Sequence, residues 1–377
     1  MKISFLLSYT PNPRINKRVR ALSENNEIML IYWRRTKDHV WGNVSKKYNQ
    51  QEIYIPANMG QPLKRILPTI KFISRAFRKL KKSKPDCIYL AGYETLAIGS
   101  FYKRFCDRNV DIVYEVADLH RLQIQPSKNF FMKLIQKTLC RFERHLCKRI
   151  ALLVCTSQKF YSSYYSAFVP KSRYLYMANA PEKKIFEGYQ RKTAGEFTVG
   201  FVGGVHFTNQ IKLLAAAGKK CGVKIIIAGS FLDDELRKYC IDKGAICTGT
   251  YIYEKDIVNI YEKLNCVFSV YPADDENVKL ALPNKLYESI ICGLPIIVAK
   301  GTYLSEIVEK YQIGVSVDSD DIEQYTRAIM MLETDSRYYQ TLVKNCNSIR
   351  EECFAEVYNQ KLLLKMEEVT RGGRYGR

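Results

Sequence analysis

Thr198-Val199-Gly200-Phe201-Val202-Gly203-Gly204-Val205-His206 is a short apolar run that closes on a pair of glycines. Such a run reads as a buried strand, and the glycine pair as the turn that ends it. Glycines at that point let a backbone approach a phosphate closely. The spacing is not G-x-G-x-x-G, so a tight turn explains it equally well. The fold is decided by what surrounds this stretch. Apolar runs recur at Lys224–Ala228, Ile246–Thr248, Cys266–Val270 and Ile296–Ala299. Helix-patterned stretches lie between them, notably Asp233–Lys243, Glu254–Leu264 and Lys285–Cys292. The first half repeats the theme with Ile3–Ser8, Glu27–Trp33, Cys87–Ala91, Ile112–Val116 and Leu152–Thr156. There the loop Pro11-Asn12-Pro13 leads into a helix at Asn16–Asn25. Strand–helix alternation of this kind predicts parallel sheets.

A break at Asn179–Glu196, with Pro181, Gly188 and Gly195, separates the two series. A chain of 377 residues fits two domains at about 150 residues each. The expected fold is therefore α/β, two Rossmann-like domains facing a cleft, residues 1–180 and 181–377. The helical tail at Arg337–Val369 is free to return to the first domain.

Charge divides at the same place. Residues 1–180 carry 33 basic and 11 acidic side chains, and residues 181–377 carry 26 and 27. The first half is thus a strongly basic module that favours an anionic partner, and the second is near neutral. Nucleic acid is one such partner, but no nucleic-acid motif supports it. Two basic amphipathic helices stand out. In one, Ile66, Ile70, Ile73, Phe77 and Leu80 share a face, among nine basic residues in Lys64–Lys84. In the other, Phe131, Ile135, Leu139, Phe142, Leu146 and Ile150 do so, with Lys128, Lys133, Lys137, Arg141, Arg144, Lys148 and Arg149 around them. Both apolar stripes are expected to face the core, and both basic faces to suit an anionic lipid surface. Twelve cysteines without C-x2-4-C spacing read as free thiols in a reducing compartment. No signal peptide and no spanning segment is visible, so the expected location is cytoplasmic or peripheral to a membrane.

The stretch Leu282-Pro283-Asn284-Lys285-Leu286-Tyr287-Glu288, followed by Gly293-Leu294-Pro295, carries the most chemistry. Pro283 and Asn284 can cap a helix, which puts Lys285 in its first turn, where unpaired N–H groups and the helix dipole favour an anion. A lysine there suits a diphosphate. Glu288, one turn on, suits ribose hydroxyls. Close to a capped start, neither is expected to be core. A capped surface helix with Lys285 in solvent explains the same spacing. Asp318-Ser319-Asp320 has the form of a metal–nucleotide ligand, but Asp320 or Asp321 reads better as an N-cap. The acidic loop Asp274-Asp275-Glu276 reads as solvated. His39, His120, His145 and His206 show no metal-ligand spacing, and neither G-x-S-x-G nor a P-loop is present.

The Pro283–Pro295 block resembles the P-x-K-x-x-E-x4-G-x-P stretch of the retaining family 4 glycosyltransferases, which have the GT-B architecture. Phe201–Gly204 resembles that family's glycine turn, Ile225–Gly229 its strand ending in glycine, and Gly249–Leu264 the segment before its acid-rich loop. Pro13-Arg14 and Tyr114–Leu119 resemble acceptor-side segments of capsule and O-antigen members. Three positions differ from the pattern: Leu280 stands near a usual glutamate, His206 at a usual arginine and Ala117 at a usual histidine. The resemblance implies transfer of a sugar from a nucleotide-sugar to a lipid-linked or saccharide acceptor at the inner face of the plasma membrane. The donor is a substrate, and neither cofactor nor metal is implied. It places Gly203, Gly204, His206, Lys285 and Glu288 at the donor, Arg14 and His120 at the acceptor, and Asp118 and Glu288 in catalysis. Two other readings stay open, a nucleotide-sugar 2-epimerase and a non-catalytic partner subunit of the same fold.

Overall fold

The computed structural model describes residues 1–37, 47–57, 63–125, 129–191 and 195–375. His39, Lys128 and residues 192–194 of the expected break lie outside them. The chain divides into two compact units, Met1–Ala178 together with Tyr358–Arg377, and Asn179–Val357. The division falls two residues before the expected boundary at 180. All but the first three residues of the terminal helix Ala355–Tyr375 belong to the first unit rather than to the second.

The first unit holds a seven-stranded sheet of order β3-β2-β1-β4-β5-β6-β7. Its strands are β1 Lys2–Leu7, β2 Glu27–Arg34, β3 Asn49–Tyr54, β4 Cys87–Ala91, β5 Asp111–Val116, β6 Leu152–Cys155 and β7 Tyr174–Tyr176. Every neighbouring pair is parallel. The second unit holds a six-stranded parallel sheet of order β10-β9-β8-β11-β12-β13. These are β8 Thr198–Val202, β9 Lys224–Ala228, β10 Ile246–Gly249, β11 Cys266–Ser269, β12 Ile296–Ala299 and β13 Gly314–Val317. Each sheet grows outward from its first strand, then reverses to the other side of it. Ligands of such sheets bind beyond the C-terminal strand ends, at that reversal.

Helices cover both faces of a parallel sheet, so its central strands read as unbroken apolar runs. β4 and β12 are fully buried along their length. β3 (Asn-Gln-Gln-Glu-Ile-Tyr) and the three-residue β7 were not expected. Both are sheet edges and half solvated; β3 is mostly polar, and β7 is too short to stand out. The first helix begins at Pro13, three residues earlier than expected, because the Asn12 side chain caps it by accepting from the Ile15 N–H. Leu362 and Met366, one turn apart on the terminal helix, lie in the core of the first unit among Ile3, Phe5 and Ile15.

The two basic helices correct the sequence reading. In Ile66–Ser83 the buried positions are Phe72, Ala76, Leu80 and Ser83, while Ile66 and Ile70 are exposed and Leu67 is 69% exposed. In Phe130–Cys147 only Glu143, Leu146 and Cys147 are buried, and Phe130 and Phe131 are 76% and 73% exposed. The expected core stripes therefore enter the core only toward the C-terminal ends of their helices. The helix Tyr93–Phe105 packs against both, through Phe77–Tyr102 ring contact and a Tyr93 hydroxyl donated to the Leu139 carbonyl. It adds Phe101 and Phe105 to the exposed apolar set. No helix among the described residues is long and apolar enough to cross a membrane.

Candidate functional site

In the second unit, β8, β9 and β10 each end on a glycine with positive φ. Gly203 has +133°, Gly229 +152° and Gly249 +75°. A side chain at Gly229 would collide with the Gly203 carbonyl, so the two loops touch backbone to backbone. A Cβ at Gly203 would stand 3.1 Å from Lys285 Nζ. The bare backbone at Gly203 is thus what lets the Lys285 ammonium lie against the end of β8. A side chain at Gly204 would collide with the imidazole of His206, which itself is exposed.

Lys285 sits in the first turn of the helix Asn284–Ile291. The expected cap is absent. Pro283 occupies the N-cap position without a side-chain hydrogen bond, and Asn284 is already helical. Lys285 is only 8% exposed, which goes against the alternative reading of a surface helix with Lys285 in solvent. Its ammonium donates to the Tyr271 hydroxyl at 2.6 Å and lies 4.3 Å from the centre of the Phe201 ring. No carboxylate among the described residues pairs with it. A nearly buried cation held only by a hydroxyl and aromatic faces is charge without a counter-charge.

Glu288 is 3% exposed and turned elsewhere on the same helix. Its two oxygens accept from Tyr253 and Tyr261, each at 2.6 Å. Burial first, and then Glu288 itself, push both phenols well above the usual range, so they remain donors. Glu288 is therefore a fixed, buried acceptor. The expectation that it is not core was wrong, because these two tyrosines were not foreseen. They belong to the helix Tyr253–Tyr261, and in the sequence only their apolar surroundings hinted at burial.

The aspartates of Asp318-Ser319-Asp320 are engaged within the fold. Asp320 accepts from Asn209 and Gln210, and Asp318 accepts from Gln324. Asp321 caps the helix Ile322–Thr334. Asp275 likewise caps Glu276–Leu280. Among the described residues, no group of three or more His, Cys, Asp or Glu side chains could hold a metal ion.

In the first unit, Arg14 follows β1 and is nearly buried. Its Nε stands 3.0 Å from Glu115 Oε1, and its Nη2 donates to the Tyr9 hydroxyl at 2.9 Å. Arg18, fully buried, brings its Nε to 3.6 Å from Glu115 Oε2 and reaches the Met177 and Ala178 carbonyls through Nη2. Tyr89 also donates to Glu115. Two cations thus share one carboxylate that the sequence reading had not singled out. Burial alone would lower the Arg14 guanidinium, but Tyr9, Glu115 and Asp118 outweigh it and hold its proton more firmly. Asp118 is exposed beyond the end of β5, within electrostatic reach of Arg14 and Tyr9. His120, also exposed, donates its backbone N–H to Gln123, whose side chain in turn donates to the buried Glu143.

Residues 196–335 match the family described as glycosyl transferases group 1. The match covers the β8 glycine turn, Lys285 and Glu288. The chain is a glycosyltransferase of GT-B fold, and its second unit contains the region that matches the group 1 family. It is 25% identical over 287 residues to the succinoglycan biosynthesis protein ExoL of Rhizobium meliloti (strain 1021), covering 69% of this chain and 68% of that one. Among solved structures it is similar to sucrose-phosphate synthase (tll1590) from Thermosynechococcus elongatus, with a TM-score of 0.76 and 15% identity over 99% of this chain and all of the other. It is also similar to Anabaena Alr3699/HepE, solved in complex with UDP, with a TM-score of 0.71 and 16% identity over 98% and 100% of the two chains.

Proposed function

We propose that this glycosyltransferase moves a sugar from a nucleotide-sugar donor to a lipid-linked or saccharide acceptor in surface polysaccharide synthesis, with retention of configuration and without a metal. The observation that carries the donor half is Lys285, a nearly buried ammonium with no carboxylate partner, set against bare backbone at Gly203 and beside an uncapped helix start. A diphosphate supplies the missing counter-charge, and Lys285 with first-turn N–H groups stabilises it as it leaves. Glu288, held by Tyr253 and Tyr261, keeps lone pairs for ribose hydroxyls. Gly204 and His206 border the same turn. The chain resembles a structure solved with UDP, and a relative named for succinoglycan biosynthesis. On the acceptor side we assign Asp118 to the reacting hydroxyl, and Arg14 and His120 to acceptor binding.

The test is calorimetric titration with UDP and other nucleoside diphosphates, followed by transfer assays with a panel of nucleotide-sugars in EDTA. Binding that Lys285→Met abolishes, with transfer surviving the chelator, supports the reading. Absence of nucleotide binding sinks it. Binding without any transfer turns it into a partner subunit.

We assign the first unit to the inner face of the plasma membrane. Exposed apolar side chains of three neighbouring helices are interleaved with Lys133, Lys137, Arg141 and Arg144, a mixture suited to anionic lipid. Sedimentation with anionic vesicles should fall with added salt and fall further for the double change Phe130→Ser, Phe131→Ser. Equal sedimentation with neutral vesicles would overturn this placement.

A further inference from the structure

A second pair of arginines shares a carboxylate in the first unit, apart from the Arg14–Glu115 group. Arg35 follows β2, Glu94 lies just after β4, and Arg65 immediately precedes the helix Ile66–Ser83. Both guanidinium groups turn to the same oxygen, Glu94 Oε1, at 4.0 Å and 3.3 Å. Arg35 is anchored by donating to the Ser8 carbonyl at 2.7 Å and lies over Trp33, 4.4 Å from the centre of its ring. Ser8 follows β1 and packs against Gly92, so the group stands at the reversal between β1 and β4, where sheets of this order take ligands. Two cations on one carboxylate leave a net positive charge. Burial and then the neighbouring Arg65 lower the hold of Arg35 on its proton, as expected of cations crowded together.

Arg65 also lines an open groove of about 300 Å³ whose other walls are Ile66, Thr69 and Ile70. The same few residues thus offer unbalanced positive charge at one end and an unpartnered apolar wall at the other. We infer that Arg35 and Arg65 bind the phosphate or diphosphate head of an amphiphilic acceptor whose apolar chain runs along Ile66 and Ile70. This rests on the acceptor half of the function proposed above and resolves it, favouring a lipid-linked acceptor over a free saccharide. Glu94 holds the two guanidinium groups beside each other and tempers their charge until the head group arrives.

Trp33 is a built-in reporter, since Arg35 covers its ring. In a Trp41→Phe background it is the only tryptophan in the sequence. Farnesyl diphosphate, inorganic pyrophosphate and farnesol serve as probes, each titrated against Trp33 fluorescence. Farnesyl diphosphate should bind about tenfold or more tighter than either of the others. Arg35→Gln and Arg65→Gln should each weaken it about tenfold to a hundredfold. Glu94→Gln should tighten it, an opposite sign that a misfolded variant does not mimic. Lys285→Met should leave it unchanged, and Arg35→Gln should leave UDP affinity unchanged, so this inference and the donor reading fail separately. The inference is overturned if farnesol or pyrophosphate binds as well as farnesyl diphosphate, or if the arginine variants bind it as tightly as the parent.

Discussion

Each unit buries cations beside the C-terminal ends of its strands, and the two treat them in opposite ways. In the first, Arg14 and Arg18 close on Glu115, and Tyr9 and Tyr89 complete the cluster. In the second, Lys285 meets a phenol and the face of a ring. A buried charge with its counter-ion steadies the scaffold whatever else it does, because removing either partner strands the other. A buried charge without one is held ready for a ligand at a standing cost to the free protein. The comparison thus separates cations that the fold itself partly balances from one that it leaves wholly to a ligand, where both regions look like buried basic clusters.

The largest effect should come from Glu115→Gln. It leaves two arginines buried without their carboxylate, at a cost of about 3–5 kcal/mol. Urea denaturation should show the first unit unfolding earlier, and an unchanged midpoint would mean that the arginines are not held by that charge. Lys285→Met should have the reverse profile. UDP affinity drops about tenfold to a hundredfold, or about 1.5–3 kcal/mol, while the ligand-free melting temperature holds or rises. A clear loss of ligand-free stability would place Lys285 in the scaffold and erase the contrast. Glu288→Gln tests a residue on both sides of the divide. One of its two buried phenols then faces an amide N–H, at a cost of about 1–3 kcal/mol in stability, with weaker nucleotide binding besides. Stability unchanged by that substitution would mean the tyrosine pair is not what holds the side chain.

The smallest effect concerns Glu143, which is buried, is paired with no arginine or lysine among the described residues, and accepts from Gln123, Tyr164 and Tyr165. Burial raises its carboxyl above the ordinary value of 4.5, against the pull of those donors. A carboxyl raised on folding stabilises the protein fully below the unfolded value. That contribution is lost as pH rises through the folded one. The parent should therefore lose stability relative to Glu143→Gln as pH climbs from about 4.5. A difference that is flat across that range would show that the carboxyl does not titrate with folding.

The fold was legible because parallel sheets demand apolar strands. β4, β8, β9 and β12 appear in the sequence with their observed limits. Edge strands escape that logic, which is why Asn49–Tyr54 was passed over. The site was legible in outline and misread in depth. Lys285 and Glu288 were found from their spacing on a helix, yet what surrounds them comes from Phe201, Tyr253, Tyr261 and Tyr271, brought in from a strand, a loop and another helix by the topology. Arg18, Arg35, Glu94 and Glu115 went unnoticed for the same reason. A lone charge in a sequence carries no sign of its partner. The amphipathic helices misled in the other direction. A stripe of isoleucine and phenylalanine promises a core, and here much of it faces outward.

The terminal helix fixes the order in which the molecule can be finished during synthesis. Residues 1–178 leave the ribosome first, yet their core lacks Leu362 and Met366 until the group 1 domain has been made in full. At about 5–20 residues per second, that interval is roughly 10–40 seconds. Throughout it, the basic unit exposes the apolar groove that those side chains will fill. The half that begins folding earliest is therefore the half completed latest.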